Sequence, residues 1–267
     1  MADLLWRALE ALYDHALPRK VFWRLAYEWM AGEQPDAFAL MNYGYVADPA
    51  APGPPTTDEA VCLDLYRHVA GAVSLEGRNL LEVGAGRGGG LAHVKQTLRP
   101  RTAFGVDLSS RAVSLARRRT AHVKGLSFLP GEAEQLPFGD ETFDVVLNIE
   151  SSHCYPSRLG FYREVRRVLT PDGHFLYADF FDADGVQTIR DALLSARLRI
   201  VTEEDITENV VAALRIDEPR RLRLIEHAAP RMKVTFGNFA ATTDSQTYRL
   251  LDTGARRYLR FVLERNR

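Results

Sequence analysis

Cysteine is scarce in this chain, and net charge is close to absent. Only Cys62 and Cys154 occur among 267 residues, too few and too far apart for a disulfide framework or a zinc site, which suits a reducing, cytoplasmic setting. Lys and Arg number 34 against 35 Asp and Glu, a formal charge of -1. Such a balance supplies no global field for a phosphate backbone and argues against nucleic acid as a partner. Long apolar runs are missing as well. Glu10, Asp14, Arg19 and Lys20 interrupt the N-terminal apolar residues before a membrane span or a signal-peptide core is reached. There is no internal repeat, and the one biased tract is ADPAAPGPPTT at 47–57, whose prolines forbid regular structure and mark a linker.

What is present falls into two parts. Residues 1–57 hold aromatics at near-helical spacing (Trp6, Tyr13, then Phe22, Trp23, Tyr27), with Pro18 between two short amphipathic stretches. These helices either pad the core or form a lid over an apolar pocket. From 58 the pattern alternates: a helix near 58–73, strands at 79–83 and 102–107, a helix at 109–122, a short strand at 126–129 and a strand at 143–149. A helix at 157–169, a Pro-Asp-Gly turn at 171–173 and a strand at 174–179 follow. Strands separated by helices imply a mostly parallel sheet covered on both faces. Beyond Asp179 come a helix near 184–197, a strand at 198–203, a helical insertion at about 206–253 and a closing strand at 257–263 after Gly254. The insertion is expected to form the second wall of an acceptor site.

In sheets of this kind ligands bind outside the carboxyl ends of the strands. LLEVGAGRGGG at 80–90 runs from a strand through Gly84, Gly86 and Gly88 into a helix, a turn that lets a ligand approach the backbone and the helix N-terminus. Gly84, Gly86 and Gly89 equally satisfy the G-x-G-x-x-G of nicotinamide and flavin binders. Asp107, ending the next strand, is placed to accept ribose hydroxyl protons. These elements point to a nucleoside cofactor without choosing between NAD and S-adenosylmethionine.

The residues resemble the class I methyltransferases through EVGAGRG at 82–88, GVDLS at 105–109, GEAEQLPF at 131–138 and FDVV at 143–146. MNYGY at 41–45 and NIESSHCYP at 148–156 look more narrowly like the phthiotriol and phenolphthiotriol dimycocerosate methyltransferases. The resemblance implies a Rossmann-like α/β sheet, mostly parallel with an antiparallel last strand, plus a helical lid. It implies S-adenosyl-L-methionine as cofactor, with Glu82 and the glycines at the methionine part, Asp107 at the ribose, and Glu132 with Ala133 at the adenine; Leu108 and Asn148 join this set. The family often carries Asp where this chain has Glu132.

Transfer to a neutral hydroxyl needs the acceptor aligned and its proton removed, and histidine suits that base. His153 follows the fourth strand at the carboxyl edge, and Asp179 ends the neighbouring strand, so the pair is the expected catalytic unit. Glu150, Tyr43 and Tyr45 are the expected substrate contacts. Cys154 beside His153 is not expected to act as a nucleophile, and Asp182 and Asp184 complete no oxygen-ligand loop, so no metal is expected. The arginines at 117–119 fan around a helix as a solvated face. The expectation is O-methylation of an apolar small molecule (a lipid, polyketide or other specialised metabolite) in natural-product biosynthesis. Set beside it are C-methylation of an isoprenoid or alkene, a non-methylating S-adenosylmethionine-binding protein, and an NAD-dependent oxidoreductase. A homo-oligomer is compatible with the sequence.

Overall fold

The computed structural model describes residues 39–54, 58–228 and 237–266; the amphipathic stretches expected within 1–38 lie outside them. The helices are α1 (Ala60–Ala70), α2 (Gly89–Thr97), α3 (Ser110–Arg119), α4 (Arg158–Val168), α5 (Val186–Ser195), α6 (Thr207–Ala228) and α7 (Gln246–Asp252). The strands are β1 (Asn79–Val83), β2 (Thr102–Asp107), β3 (Leu126–Pro130), β4 (Phe143–Ile149), β5 (Leu169–Asp182), β6 (Leu198–Asp205) and β7 (Arg256–Arg265). They form one seven-stranded sheet in the order β3-β2-β1-β4-β5-β7-β6. β1 to β5 run parallel, and β7 pairs antiparallel with both β5 and β6. The order reverses at β1 and β4, so the carboxyl ends of these two strands flank the crevice where such sheets bind ligands.

Local chemistry explains the elements. The strands β1 and β4 are buried at nearly every position and on both faces, as a covered parallel sheet requires, with Leu80, Leu81, Val83, Val145, Val146 and Leu147 filling most of those positions. Period-2 alternation sends Leu80, Leu147, Leu176 and Ala178 into one helical layer and Leu81, Val146, Phe175 and Tyr177 into the other. Ser109 and Ser157 cap α3 and α4 by accepting backbone N–H bonds from Ala112 and Gly160. Gly254, at φ +71, lies between α7 and β7 in the left-handed conformation that glycine tolerates.

β5 is longer than the six residues that its sequence pattern marks out. Its register steps from Phe143↔Leu169 to Val145↔His174, so the Pro171-Asp172-Gly173 turn becomes an irregularity within the strand. Its far end is prolonged because β7 pairs with it from His174 to Asp182. The stretch around MNYGY also packs inward: Leu40, Asn42 and Tyr43 are buried, and Leu40 and Tyr43 belong to the core beside α1 and α6. No helix among the described residues is long and apolar enough to cross a membrane.

Gly90 shows how tightly α2 meets α1. A Cβ there would sit 1.8 Å from the Tyr66 ring, so Gly90→Ala must push Tyr66 aside. The expected result is a loss of about 1–3 kcal/mol in urea unfolding, and an unchanged midpoint would contradict this packing.

Candidate active site

The expected site residues gather at the carboxyl edge of the sheet in three groups. The first surrounds the glycine turn. Glu82 points into the α1 layer and is fully buried, where its Oε1 accepts the Tyr66 hydroxyl at 2.8 Å. Its Oε2 is buried without a hydrogen-bond partner among the described residues. Burial pushes the Glu82 carboxyl up to about 8; the Tyr66 bond opposes this and the nearby Asp107 charge adds to it.

Asn148, at the end of β4, places Nδ2 2.8 Å from the Val83 carbonyl, 2.7 Å from Ser151 Oγ and 3.0 Å from the Tyr155 hydroxyl, so its two N–H protons are shared among these three oxygens. Its Oδ1 is likewise buried and unpartnered. Two orphaned acceptors beside one glycine turn are expensive for a protein unless a ligand's donors meet them. An ammonium group supplies such donors, so this cradle fits the aminoacyl end of S-adenosylmethionine.

Gly84 has φ +76, and a Cβ on it would come within 2.2 Å of Ser151 Oγ. Gly86, at φ +52, meets nothing closer than Met41 Cε at 3.5 Å and leaves the turn's surface open. The Gly86 N–H donates to Asp107 Oδ2 at 2.8 Å, and the Ser109 N–H to Oδ1 at 2.9 Å. Asp107 is thereby fixed at the end of β2 with Leu108 beside it. Glu132 and Ala133 follow β3 at the same edge, held by a bridge between Glu132 and Gln135.

The second group is built on β5 and the turn at Ser152–Cys154. His153 Nδ1 lies 2.9 Å from Asp179 Oδ1. Asp179 is completely buried and accepts further bonds from the Phe180 N–H at 2.9 Å, the His153 N–H at 3.1 Å and the Ser152 hydroxyl at 2.6 Å. Burial alone would raise its pKa. The His153 charge, the His153 and Ser152 hydrogen bonds and the Arg158 charge outweigh it and hold the carboxyl below its ordinary value. For His153, burial acts downward, but Cys154 and Asp179 together lift the imidazole well above its ordinary value. The ring stacks on Phe180 at 4.3 Å and keeps 18% of its side chain exposed.

Glu150 anchors the third group. It sits at φ +49 just past β4, and its Oε2 accepts the Tyr43 N–H and the Tyr258 hydroxyl, each at 2.9 Å. Burial pushes the Glu150 carboxyl up to about 8 against these bonds. Tyr43 stacks on Phe180 at 5.6 Å, with the Arg221 guanidinium 5.6 Å from its ring. Tyr45 is not brought here. The chain turns at Gly44, with φ +84, and Tyr45 stacks instead on His68 at 4.1 Å. Among the described residues no three His, Cys, Asp or Glu side chains cluster as metal ligands.

Ser152, behind Asp179, lies inside the NIESSHCYP block without a role of its own there, and three further participants carry no motif at all: Tyr66 under Glu82, Tyr177 behind Ser152, and Tyr258 over Glu150. Only the β5 alternation, which puts Tyr177 and Asp179 on one face, hinted at any of them.

This geometry agrees with what the chain resembles. A family model described as a methyltransferase domain matches residues 81–177. The phthiotriol/phenolphthiotriol dimycocerosates methyltransferase of Mycobacterium tuberculosis is 34% identical over 244 residues, 90% of this chain and 90% of its own length. The chain belongs to the S-adenosylmethionine-dependent methyltransferases. A second relative of this methyltransferase, the fatty-acid O-methyltransferase of Mycolicibacterium smegmatis, is 36% identical over 200 residues, 74% of this chain and 73% of that one. Two solved structures share the class I fold of the methyltransferase at low identity. The (4+2)-cyclase SpnF is 18% identical with a TM-score of 0.74, covering 91% of this chain and 94% of that one. The geranyl diphosphate C-methyltransferase of Streptomyces coelicolor A3(2) is 17% identical with a TM-score of 0.69, covering 94% and 98%.

Proposed function

We propose that this methyltransferase acts on a hydroxyl oxygen of an apolar, lipid-like acceptor, with His153 as general base and Asp179 as its orienting partner. The observation that carries the reading is the 2.9 Å contact between His153 Nδ1 and the buried Asp179 carboxylate at the sheet's carboxyl edge. With Nδ1 directed at Asp179, the acceptor's proton goes to Nε2, and the carboxylate stabilises the imidazolium that forms. The aromatic cluster of Tyr43, Phe180 and Tyr258 beside His153 suits an apolar acceptor, and Glu150 among them suits an oxygen on it. Two relatives named for a fatty acid and for phthiotriol dimycocerosates support a lipid-like acceptor.

S-Adenosylmethionine, when bound, supplies an electrophilic methyl group. In this reading Glu82 and Asn148 take its ammonium end, with Gly84, Gly86 and Gly88 lining the approach. Asp107 and Leu108 hold the ribose, and Glu132 and Ala133 face the adenine. Calorimetric titration with S-adenosylhomocysteine, NADH and NADPH tests this half of the proposal. Binding of the first alone is the expected result, and binding of a nicotinamide alone would refute it.

A second reading is C-methylation of an alkene or isoprenoid, favoured by the Glu150 carboxyl set between Tyr43 and Tyr258, which could stabilise a cation. Carbon chemical shifts of the product separate an O-methyl from a C-methyl group.

A further inference from the structure

Behind Asp179 runs a chain of buried hydroxyls that methyl transfer does not touch. Ser152 Oγ lies 2.6 Å from Asp179 Oδ2 and 2.5 Å from the Tyr177 hydroxyl, which lies 3.0 Å from the Tyr162 hydroxyl. Asp179, Ser152, Tyr177 and Tyr162 are each wholly inaccessible to solvent. Tyr177 stacks between Phe175 at 5.1 Å and Phe261 at 5.9 Å, a place that phenylalanine would fill equally well. A polar atom there is retained only with a partner, since an unpaired hydroxyl in an apolar core is costly.

The direction of the chain follows from proton counting. An ionised carboxylate only accepts, and each hydroxyl has one proton to give. Ser152 gives its proton to Asp179, so it must accept from Tyr177, which in turn accepts from Tyr162. Each donor polarises the next, and the chain terminates on the carboxylate that pairs with His153.

We propose that Ser152 and Tyr177, backed by Tyr162, are positioning residues that fix Asp179 as an immobile carboxylate and thereby aim the His153 ring. The four donors to Asp179 come from Ser152, from the ring and backbone of His153, and from Phe180; between them they leave the carboxylate no rotation that keeps every bond. The charged and titratable groups facing the pair from the neighbouring elements are Glu150 after β4, Cys154 of the turn, Arg158 of α4, Tyr43, and Tyr258 with Arg256 of β7. None of these replaces the Ser152 donor. The inference rests on the reading of His153 as base only for its effect on turnover; its effect on Asp179 stands apart from it.

The test is a carbon NMR titration of the Asp179 carboxyl in the full chain, assigned by the signal lost in Asp179→Asn, across the acid range in which the chain stays folded. Ser152→Ala should raise the proton affinity of Asp179 by about 10- to 100-fold, the effect of losing a hydrogen bond to a charged group. Tyr177→Phe should raise it by about threefold and Tyr162→Phe by less, as expected of polarisation passed along a chain. Ser152→Thr, which keeps the hydroxyl, should restore the native titration. A purely packing role predicts lower stability with an unmoved carboxyl, and that outcome in both Ser152→Ala and Tyr177→Phe overturns the proposal. If His153→Ala retains turnover while the Asp179 titration moves as described, the general-base reading fails and the positioning chain stands.

Discussion

His153→Ala is expected to lower kcat on a hydroxyl acceptor by about 100- to 10,000-fold while leaving the affinity for S-adenosylhomocysteine unchanged. The split follows from placement. His153 stands on the Asp179 side of the crevice, stacked on Phe180, whereas the glycine turn and Glu82 belong to β1 and its crossover. A variant that lost cofactor binding and kcat together would show that the imidazole supports the fold rather than the chemistry. Equal turnover of the variant and the native enzyme across pH would remove His153 from the mechanism.

The pH profile carries a sign that tests the same assignment. Asp179 and Cys154 hold the His153 imidazole well above its ordinary 6.5 against the effect of burial, so the neutral, base-competent form accumulates only as pH rises through that higher value. Activity on a hydroxyl should therefore climb toward alkaline pH, with its acid limb above 6.5. Asp179→Asn removes the carboxylate charge, so the limb should move to lower pH while the plateau falls. Stability runs in the opposite sense. The His153 contribution is fully present below 6.5 and is lost as pH rises through the folded value. The Asp179 contribution is present above its ordinary 3.8 and is lost as pH falls through its depressed folded value.

The sheet was legible in the sequence because its strands are short apolar runs punctuated by glycine, proline and helix caps, signals local to each segment. β1, β2 and β4 fall within the bounds that the pattern sets. The pairing of His153 with Asp179 was legible for a related reason: both residues end or follow adjacent strands, and strand ends share one edge. Tyr45 shows the limit of such reasoning. Tyr43 and Tyr45 share one motif, but the left-handed turn at Gly44 parts them, and a dihedral at a single glycine has no periodic signature. Tyr258 was illegible because it reaches Glu150 across 108 positions of chain, a contact set by β7 pairing with β5 rather than by anything near either residue. Ser152 and Tyr177 were hidden differently: a serine in a loop and a tyrosine in a core strand are ordinary until the direction of each hydroxyl is known.

Glu82→Gln should weaken S-adenosylhomocysteine binding by about 10- to 150-fold, the range expected when a hydrogen bond to a charged group is lost. The structure gives a further reason to expect a pH signature. In the ligand-free chain burial lifts the Glu82 carboxyl to about 8, although an unfolded chain ionises it near 4.5. Between those values the folded state binds a proton that the unfolded state has released, so this group makes stability fall as pH rises from about 4.5 to about 8. Glutamine has nothing to ionise, and the variant's unfolding free energy should lose that part of the slope. An ammonium group on Oε2 favours the ionised carboxylate, so cofactor binding near neutral pH should expel the proton. Calorimetry in buffers of different ionisation enthalpy would register that release in the native enzyme and its absence in Glu82→Gln. Equal proton release by both proteins would mean that the proton comes from another group, with Glu150, also lifted to about 8 by burial, the next to replace. No release by either would mean that the cofactor meets Glu82 already ionised, and that the Tyr66 bond keeps the carboxylate charged despite its burial.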